Sequence, residues 1–344
     1  MTNKKLKEFR IQGLERDDLK DSPELDALFL GYPYKDFQLR QLDIPKEKML
    51  KYLKASLGGK QVNSAYLTEE GRLVGLISAR HLPWLSGHFK ANMFTLQHLL
   101  TSGKEPGYFQ NMIRYLLDQM ESIDFLDCRV AAGDINAIQA LENSGFRFVG
   151  NEIFLVRSLL KDPLDESYRH PECVPCPDDM QDQVFDLAAK THFHNRYMYD
   201  PEVAPEEAAA IYQRYLSGLA FNSDYHCLIK LEDGQVQGFI FYKYNQNLSH
   251  MVGRGYASLD FIGVNNSARN RGLGDALNRA ALWHLSKMGV THVVVRTLGS
   301  NYPALRIVHK VGFRITSSDL HFHHWLRPKA RENSANQHPD LIFP

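Results

Sequence analysis

The chain has 344 residues, a length that suits about two domains of ordinary size. Forty Lys and Arg balance forty Asp and Glu, so the basic excess of a general polyanion or nucleic-acid binder is missing. Apolar residues at 44% exclude wholesale disorder, and four Cys exclude a disulfide framework.

The first residues, MTNKKLKEFRIQGLERDD, carry lysines without the apolar run of a secretory signal. No stretch approaches the roughly eighteen consecutive apolar residues of a membrane span. A soluble, cytoplasmic protein with no membrane or nucleic-acid partner is expected.

In chain order, the first half offers EEGRLVGLIS around Gly75, then KEPGYF at Lys104–Phe109, then Asp134-INAIQALENS-Gly145-Phe146. The second half repeats two of these. EDGQVQGFIF surrounds Gly238, and Asn301-YPALRIVHKV-Gly312-Phe313 follows. Ala137 and Ala304 lie 167 residues apart, as do Gly145 and Gly312; Gly75 and Gly238 lie 163 apart. Two separate segments recurring in one order predict a tandem duplication. The expected units are a domain at 1–161, a Pro- and acid-rich linker at 162–178, a domain at 179–327 and a polar tail at 328–344.

The second half reads clearly. HCLIKLEDGQVQGFIFYKY predicts two strands about the turn Asp233–Gly234. YASLDFIGVNN predicts a third strand. Leu273, Leu277, Ala281, Leu285 and Met288 then recur at helical spacing, with Gly289 as the stop. HVVVRTL predicts a buried strand, and Pro303 suits the first turn of another helix. ITSSDLHFHHWL predicts the closing strand. The fold class expected is α+β, with α/β layering: each half is a mostly antiparallel mixed sheet flanked by helices.

The string Arg269-Asn270-Arg271-Gly272-Leu273-Gly274 joins a predicted strand to a helix. Glycines there let backbone N–H groups approach an anion, and the helix start adds unpaired donors and the positive end of its dipole. That is a phosphate site in physical terms. It is neither a Walker loop nor a dinucleotide fingerprint, because the spacings differ.

In context, Val264-x-Asn266-x-x-Arg269-x-Arg271-Gly272-Leu273-Gly274 resembles motif A of the GCN5-related N-acetyltransferase (GNAT) superfamily. Asn301-x-x-Ala304 with Lys310-x-Gly312-Phe313 resembles the motif that follows it. Two tandem GNAT-like domains are therefore expected. The resemblance implies acetyl-CoA as co-substrate and a small-molecule primary amine as acceptor. It implies cofactor contacts at Ile262, Gly263, Val264, Arg269, Asn270, Arg271, Gly272, Leu273, Gly274, Asp275 and Asn301, with the strand at Ile262–Val264 splayed from its neighbour. FHNRYMYDP and the closing aromatic strand further resemble the dTDP-fucosamine acetyltransferases, which implies an amino sugar on a nucleotide carrier. Arg196, Tyr197 and Tyr199 are the acceptor-side candidates on that ground. A polyamine, an amino acid, an antibiotic amine and a non-catalytic acyl-CoA-binding role remain as alternatives.

One position departs from the pattern. The superfamily usually has Tyr, as general acid, two residues before the lysine that is Lys310 here; this chain has Val308. Tyr302 and His309 are the nearby substitutes. For the base, His321, His323 and Asp260 are candidates, as are His192 and His194. The two His-x-His strings suggest no metal, since zinc needs three or four converging ligands. Cys173-Val-Pro-Cys176 lies in the expected linker and not at a helix start, so no redox role is expected. In the first half, KEPGYF falls opposite the phosphate turn and puts Phe109 where Gly274 stands. That half is expected to keep the fold without a cofactor site. A monomer or homodimer is expected.

Overall fold

The computed structural model describes residues 9–13, 22–31, 38–58, 62–102, 107–120, 122–191, 193–219 and 224–327. Twelve strands form one sheet. They are β1 (Phe9–Gly13), β2 (Val62–Glu69), β3 (Arg72–His81), β4 (Met93–Thr101), β5 (Phe125–Ala131), β6 (Arg147–Ser158), β7 (Cys173–Pro175), β8 (Tyr225–Glu232), β9 (Gln235–Tyr244), β10 (Gly255–Val264), β11 (Val290–Leu298) and β12 (Arg314–Trp325). Their order across the sheet is β1-β2-β3-β4-β5-β12-β6-β11-β10-β9-β8-β7. Among the described residues only β4–β5 and β10–β11 are parallel.

The order contains an exchange. The closing strand of each half pairs with the other half: β12 lies against β5, and β6 lies against β11. The two exchanged strands then pair with each other, antiparallel, at the centre. The halves share one hydrogen-bonded sheet instead of forming two separate ones.

Strand alternation sorts the residues to two faces. On one face, Leu126, Cys128 and Val130 of β5 and Phe322 of β12 pack under the helices Gly107–Gln119 and Ile135–Asn143. On the same face, Ala257, Leu259, Val293 and Val295 pack under Leu273–Lys287 and Tyr302–Lys310. The opposite face carries Pro23–Leu30 over the first half, and Gln181–Lys190 and Pro205–Leu219 over the second. At the centre of that opposite face, between the helical covers, the strands present charged side chains.

The duplication holds in detail. Asp134 and Asn301 each cap a helix by accepting from the N–H three residues on. A Cβ on Gly75 would strike Met112 Sδ at 2.8 Å, and one on Gly238 would strike Leu277 Cδ1 at 3.0 Å, so each glycine lets a helix close onto its hairpin.

Residues 162–178 do not form the expected linker. Tyr168 is buried, accepts a hydrogen bond from Arg157 Nη1 at 2.5 Å, and has the Arg279 guanidinium 4.6 Å over its ring. Cys173–Pro175 is the edge strand β7 against β8. Prolines and acids around these few buried residues hid them. Cys173 packs with Leu155 and Tyr168, whereas Cys176 packs against the separate cluster of Val184 and Ile229, so the two Cys-x-x-Cys side chains enter different clusters. The polar tail at 328–344, His192 and Lys104–Pro106 lie outside the described residues.

Because β12 and β6 each complete the other half's sheet, heat should unfold the chain in one cooperative transition. Phe322→Ala, at a position only 1% exposed, should destabilise that single transition by about 3–5 kcal/mol. Two resolved calorimetric transitions would show that the exchange does not couple the halves.

Candidate active site

The parallel pairing of β10 with β11 runs from Gly255↔Val290 to Leu259↔Val295 and stops, although β10 continues to Val264 and β11 to Leu298. A register shift between Leu259 and Phe261 against β9 bends β10 away at that point. Ile262, Gly263 and Val264 then pair only with β9. Their other backbone edge faces a V-shaped gap. Gly263 is required for packing there, since a Cβ would meet the Phe239 ring at 2.4 Å. The same splay occurs in the first half, where β4 pairs with β5 only over Met93–Leu96.

The turn 265–272 ends beside this gap. Gly272 sits at the N-cap of Leu273–Lys287 with φ +81°, and no side chain caps that helix. A Cβ on Gly272 would have open space around it, so the glycine is required by the left-handed backbone and not by crowding. The uncapped first turn leaves N–H donors directed outward with the helix dipole. Gly274 also serves packing: its missing Cβ leaves room for Ile307 Cδ1 at 3.0 Å, with Ile262 Cδ1 at 4.0 Å. It fixes the helix start against the gap.

The charged residues of the turn are partly occupied. Arg271 forks onto Glu232 at 2.9 and 3.2 Å. Asp275 pairs with Arg279 at 3.0 Å and Lys310 at 3.4 Å, and so ties two helices together. Arg269 and Asn270 are exposed, and Asn270 also takes a left-handed φ of 61°. Leu273 packs into the core. Asn301 is the helix cap already described, with its amide donating to Thr297 Oγ1 at 3.1 Å.

The expected catalytic residues do not meet. Tyr302 is 70% exposed and His309 is exposed, both on the outer side of Tyr302–Lys310. Val308 is 5% exposed and packs in the core with Leu277, Val311 and Phe313. Successive helical residues differ by about 100°, so burial of Val308 turns His309 outward. His323 is enclosed on the same strand face as His321, in register with Asp127. Its Nδ1 lies 2.6 Å from Asp200 Oδ2, which also accepts from Trp325 Nε1 at 2.9 Å, and its ring packs on Phe125 and Tyr197. Burial pushes the imidazole below its usual range. The pair ties the closing strand to the 196–200 segment.

The acceptor-side candidates divide. Tyr197 is buried, and Arg196 is drawn inward onto Asp127 at 2.6 Å. Tyr199 is 46% exposed and shares a hydrogen bond with Ser300 Oγ at 3.1 Å.

What the splay does bring together was largely absent from the list of expected residues. On the charged face stand Asp127 and Arg129 of β5, Asp319 and His321 of β12, Glu152 of β6, Arg296 of β11 and Asp260 of β10. Arg129 bonds Glu152 at 2.8 Å and reaches Asp319 at 3.9 Å, and His321 Nε2 lies 3.7 Å from Glu152. Burial would raise Glu152, but His321 and Arg129 outweigh it and hold its carboxyl at about 2. Asp260 and Arg296 flank the point where the strands part, one residue beyond the last pair, Leu259↔Val295. Both reach solvent, yet loss of surrounding water raises the Asp260 carboxyl despite the Ser258 and Tyr225 hydroxyls, and lowers Arg296. Exposure together with water loss describes side chains on the floor of an open cleft. Tyr212 and Phe261, 5.2 Å apart ring to ring, with Phe193, form its aromatic wall. The alternation of ITSSDLHFHHWL signalled this face; its partners on β5 and β6 lay in the other half and were not foreseeable without the exchange.

Residues 182–313 match the profile described as the acetyltransferase (GNAT) family. A mycothiol acetyltransferase from Saccharomonospora viridis is 32% identical over 103 residues, which cover 30% of this chain and 34% of that protein. The chain thus spans about a third of that relative's length. A GCN5-related N-acetyltransferase from Sphaerobacter thermophilus superposes with a TM-score of 0.59 at 14% identity, covering 93% of this chain and 96% of that one. A tandem GNAT protein from the clavulanic acid biosynthesis pathway gives 0.55 at 15% identity, covering 94% and 100%. The matched segment lies within the C-terminal half, and the whole chain shares the fold of these tandem GNAT structures.

Among the described residues no helix is long and apolar enough to cross a membrane, and no group of three or more His, Cys, Asp or Glu is placed to hold a metal.

The burial of Val308 sets a prediction. Val308→Tyr should overpack the core and lower stability by about 1–3 kcal/mol, with no gain in any transfer rate. A variant with unchanged melting temperature and a faster single-turnover rate would show that position 308 opens onto the site.

Proposed function

We propose that the C-terminal half transfers the acetyl group of acetyl-CoA to the primary amine of a small molecule. The observation that carries this reading is the conjunction of three features at one place: the splayed edge of Ile262–Val264, the uncapped helix start at Gly272, and Asp260 at the apex of the splay. The residues suit acetyl-CoA. Gly272 and the first turn of the helix would hold the pyrophosphate, with Arg269 adding charge. The open edge of β10 would receive the pantetheine arm and aim an N–H at the thioester oxygen, a type of contact worth about 3–4 kcal/mol where measured. Acetyl-CoA supplies an activated acyl group.

In the reaction, the amine nitrogen forms the new bond to the carbonyl carbon, the carbon–sulfur bond breaks, and the amine proton leaves. Asp260 is the residue placed to take that proton. Its raised pKa brings it nearer to the working range of a general base. Val308 leaves the usual acid position without a proton.

The acceptor belongs to the class of small amines, with an amino sugar, free or nucleotide-linked, favoured by the sequence resemblance. Tyr199 is the exposed member of the cluster behind that resemblance. The first half, with Tyr108 and Phe109 buried at the helix start that corresponds to the phosphate turn, is read as a partner without its own cofactor. The protein acts in this reading as a cytoplasmic monomer or homodimer without nucleic-acid, membrane or metal partners. Val308 also favours a second reading, a non-catalytic acyl-CoA-binding protein, which release of free thiol in the presence of amines distinguishes from the first.

Two measurements test the leading reading. Calorimetric titration should find one acetyl-CoA per chain, and Gly272→Glu should raise its dissociation constant at least about tenfold, through αL strain and a like charge against the phosphates. Two molecules per chain, or an unaltered constant in a folded variant, would contradict the assignment of the turn. For Asp260, a base must be ionised, so kcat/KM should rise with pH through its raised pKa. Asp260→Asn should lower kcat by about 10²–10⁴-fold and remove that acidic limb. An intact limb in the variant would assign the base elsewhere.

A further inference from the structure

The cleft's charges can be paired off by their contacts. Arg196 is taken by Asp127 at 2.6 Å. Arg129 lies between Glu152 and Asp319, and His321 lies beside Glu152. Lys243, near the Tyr225 side of the cleft, pairs with Asp224 at 3.8 Å. Two charged groups are left at the splay. Among the described residues the Arg296 guanidinium makes no hydrogen bond or ion pair; it rests 5.1 Å over the Phe154 ring. Asp260 likewise has no ion pair among them; only hydroxyls, of Ser258 and Tyr225, bond to it.

These two groups stand on opposite lips of the V. Leu259 and Val295 are the last paired residues of β10 and β11, and Asp260 and Arg296 come immediately after them. Val293 and Val295 point to the core and Val294 does not, so alternation directs Arg296 to the face that carries Glu152 and Asp319. A guanidinium held at a cleft floor by an aromatic ring, without a carboxylate on it, is arranged to receive an anion; its planar fork suits carboxylate or phosphate oxygens. The carboxylate opposite is arranged to receive an ammonium.

We propose that Arg296 selects the acceptor: the amine that this site takes carries an anionic group, carboxylate or phosphate, on the same small scaffold, with its nitrogen toward Asp260 and its anion on Arg296. This rests on the acetyltransferase reading and narrows its substrate class. A simple polyamine does not fit, because its second cation would lie against the guanidinium. A neutral amino sugar leaves Arg296 without a partner, whereas an acidic, phosphorylated or nucleotide-linked one satisfies it.

The test uses the full-length protein, acetyl-CoA and matched amine pairs: glucosamine with glucosamine 6-phosphate, and alanine amide with alanine. Free-thiol release gives kcat/KM for each. In at least one pair, the anionic member should be preferred by about tenfold or more. Arg296→Gln should bring that ratio toward one, chiefly through KM, and Arg296→Lys should restore part of it. Acetyl-CoA affinity, titrated separately, reports whether the variants remain folded and loaded. A sugar phosphate preferred without the amino acid assigns the anion as phosphate, and the reverse assigns carboxylate. Neutral members that equal their anionic partners in both pairs would overturn the inference while leaving acetyl transfer intact, as would a ratio insensitive to Arg296. Acetyl-CoA binding without thiol release from any of the four amines would overturn the acetyltransferase reading, and this inference with it.

Discussion

The pairing of β12 between β5 and β6 is the contact on which the rest of the molecule depends. It joins two sheets of similar design into one, and it decides what the centre of that sheet presents. Asp127 and Arg129 come from β5, Glu152 from β6, and Asp319 and His321 from β12. In a chain whose halves kept their own closing strands, these residues would not share a register. The cleft beside the second half's splay is therefore floored partly by the first half. Loss of a cofactor site in the first half would cost the fold little, because its sheet still has to supply β5 and β6.

The crossing segments reinforce the exchange in the same way. The segment 196–211 of the second half lies on Phe89, Met93 and Phe125 of the first, with Asp200 holding His323 and Trp325. The first half returns a segment of its own: Leu42 and Ile44 pack on Phe154, Val156 and Tyr256, and Asp43 lies 3.3 Å from His292. Buried charge is expensive unless it is paired and hydrogen-bonded. Nearly every ion near the centre meets that condition through a partner from the other half or from an exchanged strand. Among the described residues Asp260 and Arg296 have no such partner; both reach solvent, and they sit where the strands part.

Much of this was legible from local pattern. Strand alternation, the helical stripe from Leu273 to Leu285, the Asp233–Gly234 turn and the paired caps Asp134 and Asn301 depend on neighbours a few residues away. The glycine turn at the start of the helix Leu273–Lys287 was legible for the same reason, whereas the packing of Gly274 against Ile307 and the ion pairs of Asp275 with Arg279 and Lys310 depend on side chains the local pattern does not show. What escaped depends on distant partners. The exchange of closing strands leaves no local trace, because β6 and β12 have the alternation of any central strand. Tyr168 and Cys173 lie among prolines and acids that read as a linker. The burial of His323 and its partner Asp200, which comes from a distant segment, could not be read from the strand. Arg296 sits at the end of a β-branched run and gains its meaning only from the strand that leaves it.

The absence of an acid at position 308 and the presence of Asp260 fit one another in the proposed reaction. The two proton transfers do not make equal demands. An alkylamine of pKa about 10.4 is neutral in only about one part in 10³ at pH 7, so attack needs a group that draws the proton away. A thiol of pKa about 8.5 leaves as a thiolate that water can protonate, so an acid accelerates this step without being indispensable. A site that keeps its base and fills the acid position with Val308 has given up the less demanding of the two. What it gains is packing: Val308 closes the helix Tyr302–Lys310 onto Leu277 and Phe313, and the neighbouring Ile307 reaches Gly274 at the start of the helix Leu273–Lys287. The residue at the usual acid position instead helps to hold the turn at Gly272 against the splayed strand.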